Sequence, residues 1–199
     1  MIEILGRKMR FIFQQPASVP AETQATDTGS LMIVFSAWAE DCRLYGSLAL
    51  DGDRLSDMLN LYDEFVLVDV HAQDHQGGSV TEIAELAISR DEILLVEASP
   101  PRGHPQRRRH MQPVPMSVQL GEFALRGDVH VSPGADPMVA LSRRPPMVPL
   151  TRAQLTYRGG LQRLTDAANA TVLFNRQRVT SIEIGNRRLP KLNDLTGAA

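Results

Sequence analysis

Hydrophobic and polar residues alternate along much of the chain with a period of two, which is typical of half-buried β-strands. RLYGSLAL places Leu44, Leu48 and Leu50 on one face. The segments of the first half with strand-favouring composition are LMIVFSAW (31–38), RLYGSLAL (43–50), FVLVDVHA (65–72), EIAELAI (82–88) and EILLVEA (92–98). The last two flank a Ser-Arg-Asp turn and predict a hairpin.

A short helix is expected between the second and third of these strands. Gly52 ends the second strand in a turn, and Asp53, Ser56 or Asp57 supplies the side-chain oxygen that caps the helix. The apolar residues at helical spacing are Leu55, Met58, Leu59 and Tyr62.

The same order of elements returns in the second half of the chain. Gly127 and Asp128 are expected to end a strand in a turn, and Asp136 is the expected N-cap of a helix that begins at Pro137. The corresponding segments are SVQLGEFALRGD (117–128), MVALSRR (138–144), MVPLTRAQLTYR (147–158) and TVLFNRQRVTSIEI (171–184), the last expected as a hairpin.

These repeated segments predict an internal duplication. GSLALDGD (46–53) aligns with GEFALRGD (121–128), which pairs Gly46 with Gly121 and Gly52 with Gly127. The alternative is a chance likeness between two β-rich halves.

Five strands are too few for a sandwich, and closing a sheet removes its exposed edges. We therefore expect a mainly β fold of two tandem five-stranded barrels, SH3-like or Sm-like, each with one short helix.

The box RLSDMLN (54–60), followed by FVLVDV (65–70), resembles an uncharacterised bacterial domain family that carries an R-L-S/T-D-x-L-N box. The resemblance covers residues 44–97 and, more faintly, 118–184, where the box is missing. The segments ILLVEA and VLFNRQRVTSIEI also resemble the closing strand pair of Sm-like barrels. The resemblance implies a small barrel and supplies no reaction.

The chain divides by composition into five parts. Residues 1–30 form an N-terminal arm and a flexible linker, 31–98 and 117–184 the two barrels, 99–116 a linker rich in Pro and Arg, and 185–199 a tail. Residues 1–13 show helical spacing with basic residues off the apolar face. Such a segment can dock on a membrane surface or a partner, or it can pack, as strand or helix, on the protein itself.

Composition narrows the function classes only slightly. A net charge of −2 over 199 residues gives no general attraction to polyanions. Cys42 is the only cysteine, which excludes an intramolecular disulfide and a cysteine-based zinc site and suits a reducing compartment. No apolar run reaches the roughly 18 residues of a membrane span, and the apolar run at residues 11–13 is shorter than the roughly 7–15 residues of a signal peptide. We expect a cytoplasmic protein.

Two clusters are candidate binding sites. His71, Asp74 and His75 could share a metal on a helix, but the nearby glycines favour a solvated loop, so no metal or other cofactor is expected. A basic cluster in the predicted linker could contact nucleic-acid phosphates, although no aromatic residue is interleaved to stack bases. Its candidate anion-binding residues are Arg102, Arg107, Arg108 and Arg109.

No short catalytic motif is present: the sequence lacks a G-x-S-x-G elbow, a P-loop and a G-x-G-x-x-G loop. The preferred interpretation is a non-catalytic interaction, scaffold or regulatory protein with an unidentified protein partner. The alternatives are nucleic-acid binding through the arginine cluster and docking to a membrane surface or a partner through residues 1–13. An enzyme whose site leaves no short motif stays open.

Overall fold

The computed structural model describes residues 31–75, 78–98, 110–158 and 170–185, together with the backbone of 2–4, 7–9 and 162–163. This part of the chain is mainly β, as predicted. Its strands are β1 (Ile2–Ile4), β2 (Arg7–Met9), β3 (Leu31–Ala39), β4 (Cys42–Leu50), β5 (Glu64–Asp74), β6 (Val80–Ser89), β7 (Ile93–Glu97), β8 (Gln112–Leu120), β9 (Phe123–Val131), β10 (Met147–Tyr157), β11 (Gln162–Arg163), β12 (Thr171–Asn175) and β13 (Ser181–Ile184). Its α-helices are α1 (Leu55–Leu61) and α2 (Pro137–Ser142).

Ten strands follow one continuous antiparallel order, β13-β8-β9-β10-β12-β7-β3-β4-β5-β6, and β11 pairs with β10. β1 and β2 form a separate two-stranded sheet. Whether each half closes into its own barrel stays a prediction.

The strand order shows the duplication directly. In the first half the order is β7-β3-β4-β5-β6, and in the second half it is β13-β8-β9-β10-β12. In both halves the fifth strand therefore pairs with the first, a short helix joins the second strand to the third, and a 3-10 turn joins the fourth to the fifth. The two turns span Arg90–Glu92 and Arg176–Arg178.

A β-bulge occurs at the same place in both halves. At each site two residues of the third strand face a single glycine of the second strand, and the register shifts there. The first of the two residues has a left-handed φ of 52°: it is Asp69 opposite Gly46 and Arg152 opposite Gly127. Gly127 is therefore the counterpart of Gly46, so the predicted pairing of Gly46 with Gly121 was wrong.

The halves meet in what we call the internal junction, the pairing of β7 with β12 together with two bridging asparagines. The Asn60 side chain of α1 donates to Met147 O at 2.9 Å and accepts from Met147 N at 2.8 Å. The Asn175 amide donates to Arg90 O at 3.2 Å and to Ile93 O at 3.1 Å. Each half thus supplies hydrogen bonds to the backbone of the other.

The apolar core also crosses this junction. Met147 of β10 is fully buried in the cluster that fills the first half, beside Met58 and Leu59 of α1. Trp38 and Leu95 of the first half belong to the cluster of the second half. The halves consequently bury apolar surface together rather than as independent units.

The two hairpins expected at the ends of the halves are not formed. β7 pairs with β3 and β12, not with β6, and β13 pairs with β8, not with β12. The 3-10 turn between each pair redirects the chain, so the fifth strand crosses to the first strand of its own half. A pattern of strand, turn and strand does not specify which strands share hydrogen bonds.

The expected turn and cap assignments of five residues also differ. Gly127 and Asp128 lie inside β9, where Asp128 is 6 % exposed, and do not end a strand. None of Asp53, Ser56 and Asp57 caps α1, because the N-cap position is Arg54 and makes no side-chain cap bond. Asp57 instead accepts two hydrogen bonds from the Arg54 guanidinium, at 2.7 and 2.9 Å.

The remaining turn assignments follow the expectation. Gly52 adopts a φ of 108°, which suits a residue without a side chain. Asp136 caps α2 through a hydrogen bond from Val139 N to its Oδ1 at 2.9 Å, with Pro137 in the first helical position.

At the ends of the predicted parts, the backbone is more ordered into strands than expected. Residues 2–4 and 7–9 pair as β1 and β2, which fits the strand alternative for residues 1–13 rather than an amphipathic helix. β8 begins at Gln112, inside the segment expected to be a linker. The other domain boundaries stay predictions.

Candidate functional site

The three residues considered as metal ligands do not form a ligand cluster. His71 and Asp74 belong to β5 rather than to a loop, and His75 is in the turn that follows. His71 Nε2 lies 3.7 Å from the Glu82 carboxylate across the strand pair. Among the described residues, no three His, Cys, Asp or Glu side chains are grouped as a metal would require.

His75 instead contacts both halves of the protein. Its ring centroid lies 5.0 Å from that of Phe123 and 5.1 Å from that of Tyr157, and its Nε2 is 3.1 Å from Ala39 O. Burial lowers the pKa of His75, against a smaller opposing effect of the hydrogen bond to Ala39. The folded protein therefore favours the neutral ring.

This environment predicts a loss of stability in acid. The unfolded chain takes up the His75 proton near the ordinary value of 6.5, whereas the folded chain takes it up only at lower pH. The contribution of the neutral ring is therefore present above that value and lost as the pH falls through it. Urea unfolding between about pH 8 and pH 5 should show a smaller decline for His75→Phe than for the wild type. An equal decline in both proteins would contradict this role.

The candidate anion-binding cluster lies outside the residues that the structure describes; its members are Arg102, Arg107, Arg108 and Arg109. Nucleic-acid binding through them stays a prediction.

Cys42 has the properties of a core residue. It is 1 % exposed, and burial, helped by the neighbouring carboxylates of Asp41 and Asp74, raises the pKa of its thiol to about 11. A nucleophilic cysteine needs the opposite shift, because the thiolate is the reactive form.

A polar network lies beside the second bulge. The Arg152 guanidinium pairs with the buried Asp128 carboxylate, and His130 Nε2 is 2.8 Å from Thr151 Oγ1. A hydroxyl hydrogen-bonded to a histidine is an arrangement used by nucleophiles. Here the Thr151 hydroxyl also reaches Asp128 O at 3.4 Å, so the network ties together the two strands at the bulge.

The candidate binding surface lies where β13 ends the sheet and α2 lies beside it. We call this region the open end. A cavity of about 360 Å³ separates β13 from α2, lined by Met138, Leu141 and Ser142 of α2, by Arg176 and by residues 179–182. Two apolar side chains at this end are exposed: Met138, which lines the cavity, is 46 % exposed, and Ile184, the last residue of β13, is 39 % exposed. In the described part of the chain, β13 pairs with β8 alone, so its other edge is uncovered.

The duplication shows how unusual this cavity is. Leu141, Ser142 and Arg176 correspond to Leu59, Asn60 and Arg90 of the first half, by their places in the helix and the 3-10 turn. Asn60 and the backbone of Arg90 are bonded to Met147 and Asn175 in the internal junction. In the second half, no such partners occupy the equivalent position within the described residues, and the cavity lies there.

The open end is also basic. Two arginines lie at the end of α2, Arg143 and Arg144, and two lie in the 3-10 turn, Arg176 and Arg178. Of these, Arg178 is paired with Glu40 of the first half at 3.7 Å. In the first half, Arg90 is paired at 2.6 Å with Asp63, whose structural counterpart is Pro146: the amides of Arg90 and Arg176 donate to Asp63 O and Pro146 O, both at 2.8 Å. Arg176 therefore lacks the carboxylate that neutralises its counterpart and donates to Arg144 O at 3.0 Å instead.

Sequence reasoning missed this surface. The signal that was available is the composition of the fifth strands: ILLVE has four apolar residues in a row, all buried, before Glu97, whereas SIEI alternates polar and apolar residues and is mostly exposed. Two strands with equal places in a duplicated fold should differ in this way when only one is covered on both edges.

The chain matches no family model, no curated protein and no solved structure. In the described part of the chain, no helix is long and apolar enough to cross a membrane.

Proposed function

We propose that this chain is a non-catalytic interaction protein, built from two SH3-like or Sm-like five-stranded barrels, that binds a polypeptide partner at its open end. The observation that carries the proposal is the coincidence of an uncovered strand edge, exposed apolar side chains and a cavity in one place. An uncovered edge offers a row of backbone donors and acceptors to another strand, and neighbouring pockets receive its side chains.

The polar groups elsewhere support a structural rather than a catalytic role. Asp128 is neutralised by Arg152 at the bulge, and Asp57 is held by Arg54 at the start of α1. Cys42, with its raised pKa, is a poor nucleophile at neutral pH. Each of these groups has a partner or an environment that explains it without a substrate.

Site-specific photo-cross-linking in the cell that naturally produces the protein tests this proposal. A photoreactive amino acid in place of Met138, at the open end, should give a covalent adduct with another polypeptide. The same amino acid in place of Glu122, exposed in the turn between β8 and β9, is the matched control and should give none. No adduct from position 138, or equal adducts from both positions, would contradict a binding surface at the open end.

A further inference from the structure

We propose that the partner at the open end is a second copy of this chain, which inserts the opposite end of its own sheet, strand β6, alongside β13. This inference rests on the proposed function, since it names the partner of the same surface. It follows from the internal junction, where the fourth strand of one half pairs with the fifth strand of the other. The two strands left at the ends of the sheet, β6 and β13, are again a fourth and a fifth strand.

The duplication fixes the register of the contact. Ser89 and Asn175 are equivalent because each caps the 3-10 turn of its half through its own side chain. In the internal junction Leu173 of β12 faces Val96 of β7. Transferred to the equivalent residues of β6 and β13, this pair becomes Ala87 of one copy facing Ile182 of the next.

One hydrogen bond of the internal junction has a specific counterpart between copies. Ala98 N donates to Thr171 O at 2.9 Å. The equivalent residues are Ile184 and Glu85, so Ile184 N of one copy should donate to Glu85 O of the other.

The backbone groups needed for these bonds face outward from β6 and β13. Along an edge of an antiparallel ladder, successive residues alternate between facing the neighbouring strand and facing away from it. Arg90 N donates towards β5, to Asp63 O, which turns the backbone groups of Ala87 and Glu85 outward. Gly185 N donates towards β8, to Pro115 O at 3.1 Å, which turns Ile184 and Ile182 outward.

Charge favours this pairing of unlike ends. The end at β6 carries exposed carboxylates on the strand and beside it: Glu64, Glu82, Glu85, Asp91 and Glu92, in addition to Asp63, which is already paired with Arg90. The open end carries the four arginines of α2's end and the 3-10 turn, of which Arg178 is already paired with Glu40. Glu64 is the structural counterpart of Met147, which is bonded to Asn60 in the internal junction. Between copies, Glu64 should therefore lie beside Ser142, the counterpart of Asn60, which lines the cavity together with Arg176. An acidic end meeting a basic one also disfavours pairing of two like ends.

Such a contact joins different surfaces of the two copies, so it repeats from copy to copy. It ends in a closed ring where the rotation closes and in a filament where it does not. Either assembly covers both edges of the sheet, which no strand covers in the described part of the chain, and so prevents uncontrolled pairing there.

The test measures self-association of the purified full chain by sedimentation velocity. The wild type should associate further as its concentration rises towards about 100 µM. Ala87→Pro and Ile184→Pro each remove one outward N–H and leave the ladder within the chain intact, which an edge strand tolerates. Each should weaken association by roughly tenfold or more. Ala87→Ser and Ile184→Ala keep the N–H and are the matched controls; circular dichroism checks that all four variants fold.

Mixing the two proline variants separates this geometry from every other. Each has one intact end, and the intact ends are complementary, so the mixture should form a heterodimer and nothing larger. A wild type that stays monomeric, proline variants that associate like their controls, or a mixture that gives no heterodimer would each overturn the proposal. A monomeric wild type whose position 138 still cross-links to a different protein would overturn self-association while leaving the proposed function standing.

Discussion

Replacing Gly127 by alanine should destabilise the protein by about 1–3 kcal/mol, the usual cost of forcing extra atoms into a packed interior. A Cβ at this position would lie 2.7 Å from Thr151 O and 3.3 Å from Ala153 Cα. Both are backbone atoms of the bulge in β10, so no side chain can rotate away to make room. The measurement is the free energy of unfolding in urea.

Alanine substitutions at two other glycines should have smaller effects on the free energy of unfolding. Gly46 is the counterpart of Gly127, but its added Cβ would lie 3.0 Å from Val68 O, so Gly46→Ala should cost less. At Gly78 the nearest atom would be Asp74 Cβ at 3.6 Å, an ordinary contact, and Gly78→Ala should be neutral or slightly stabilising. Equal effects at all three positions would show that close approach of the backbone is not the reason for Gly127.

The role of Gly127 shows why the duplication was aligned incorrectly from sequence. The segments GSLALDGD and GEFALRGD share their glycines, but Gly121 lies in the turn between β8 and β9 with a φ of 53°, whereas Gly46 lies inside β4. Glycine serves both places for different reasons: freedom of φ in the turn, and the absence of a Cβ in the strand. A single sequence does not distinguish the two.

Local patterns predicted the strands well where burial alternates along them. Leu44, Leu48 and Leu50 are buried in β4 as their spacing indicated. The polar residues that follow the strand segment FVLVDVHA favour a loop, yet β5 continues to Asp74, which pairs with Cys42 of β4. A pairing with a distant strand overrides local composition.

The candidate site depends on which strands are covered on both edges, and that is a long-range property. Nothing in the segment TVLFNRQRVTSIEI indicates that its first strand pairs with β7 of the other half while its second strand has an uncovered edge. The difference between the two fifth strands, β7 and β13, is evident only from a comparison of the two halves as equivalent folds.

Replacing Asn175 by alanine should have the largest effect at the internal junction, about 2–4 kcal/mol of unfolding free energy. The side chain is fully buried. Its amide donates to two carbonyls of the first half, Arg90 O and Ile93 O, and its Oδ1 accepts from Gln177 N at 3.1 Å in its own turn. Truncation removes all three hydrogen bonds, and a buried carbonyl that loses its donor keeps its full desolvation cost.

Ser89→Ala is the matched control, because Ser89 holds the equivalent place and caps its own turn through a hydrogen bond from Asp91 N at 3.3 Å. Losing a cap alone costs about 1 kcal/mol, so urea unfolding should separate the two variants clearly. The excess for Asn175 then measures what the asparagine contributes across the junction, beyond its role in the turn. If the two substitutions cost the same, the halves are held together by the β7–β12 pairing and the shared core, and the bonds from Asn175 to the first half add no net stability.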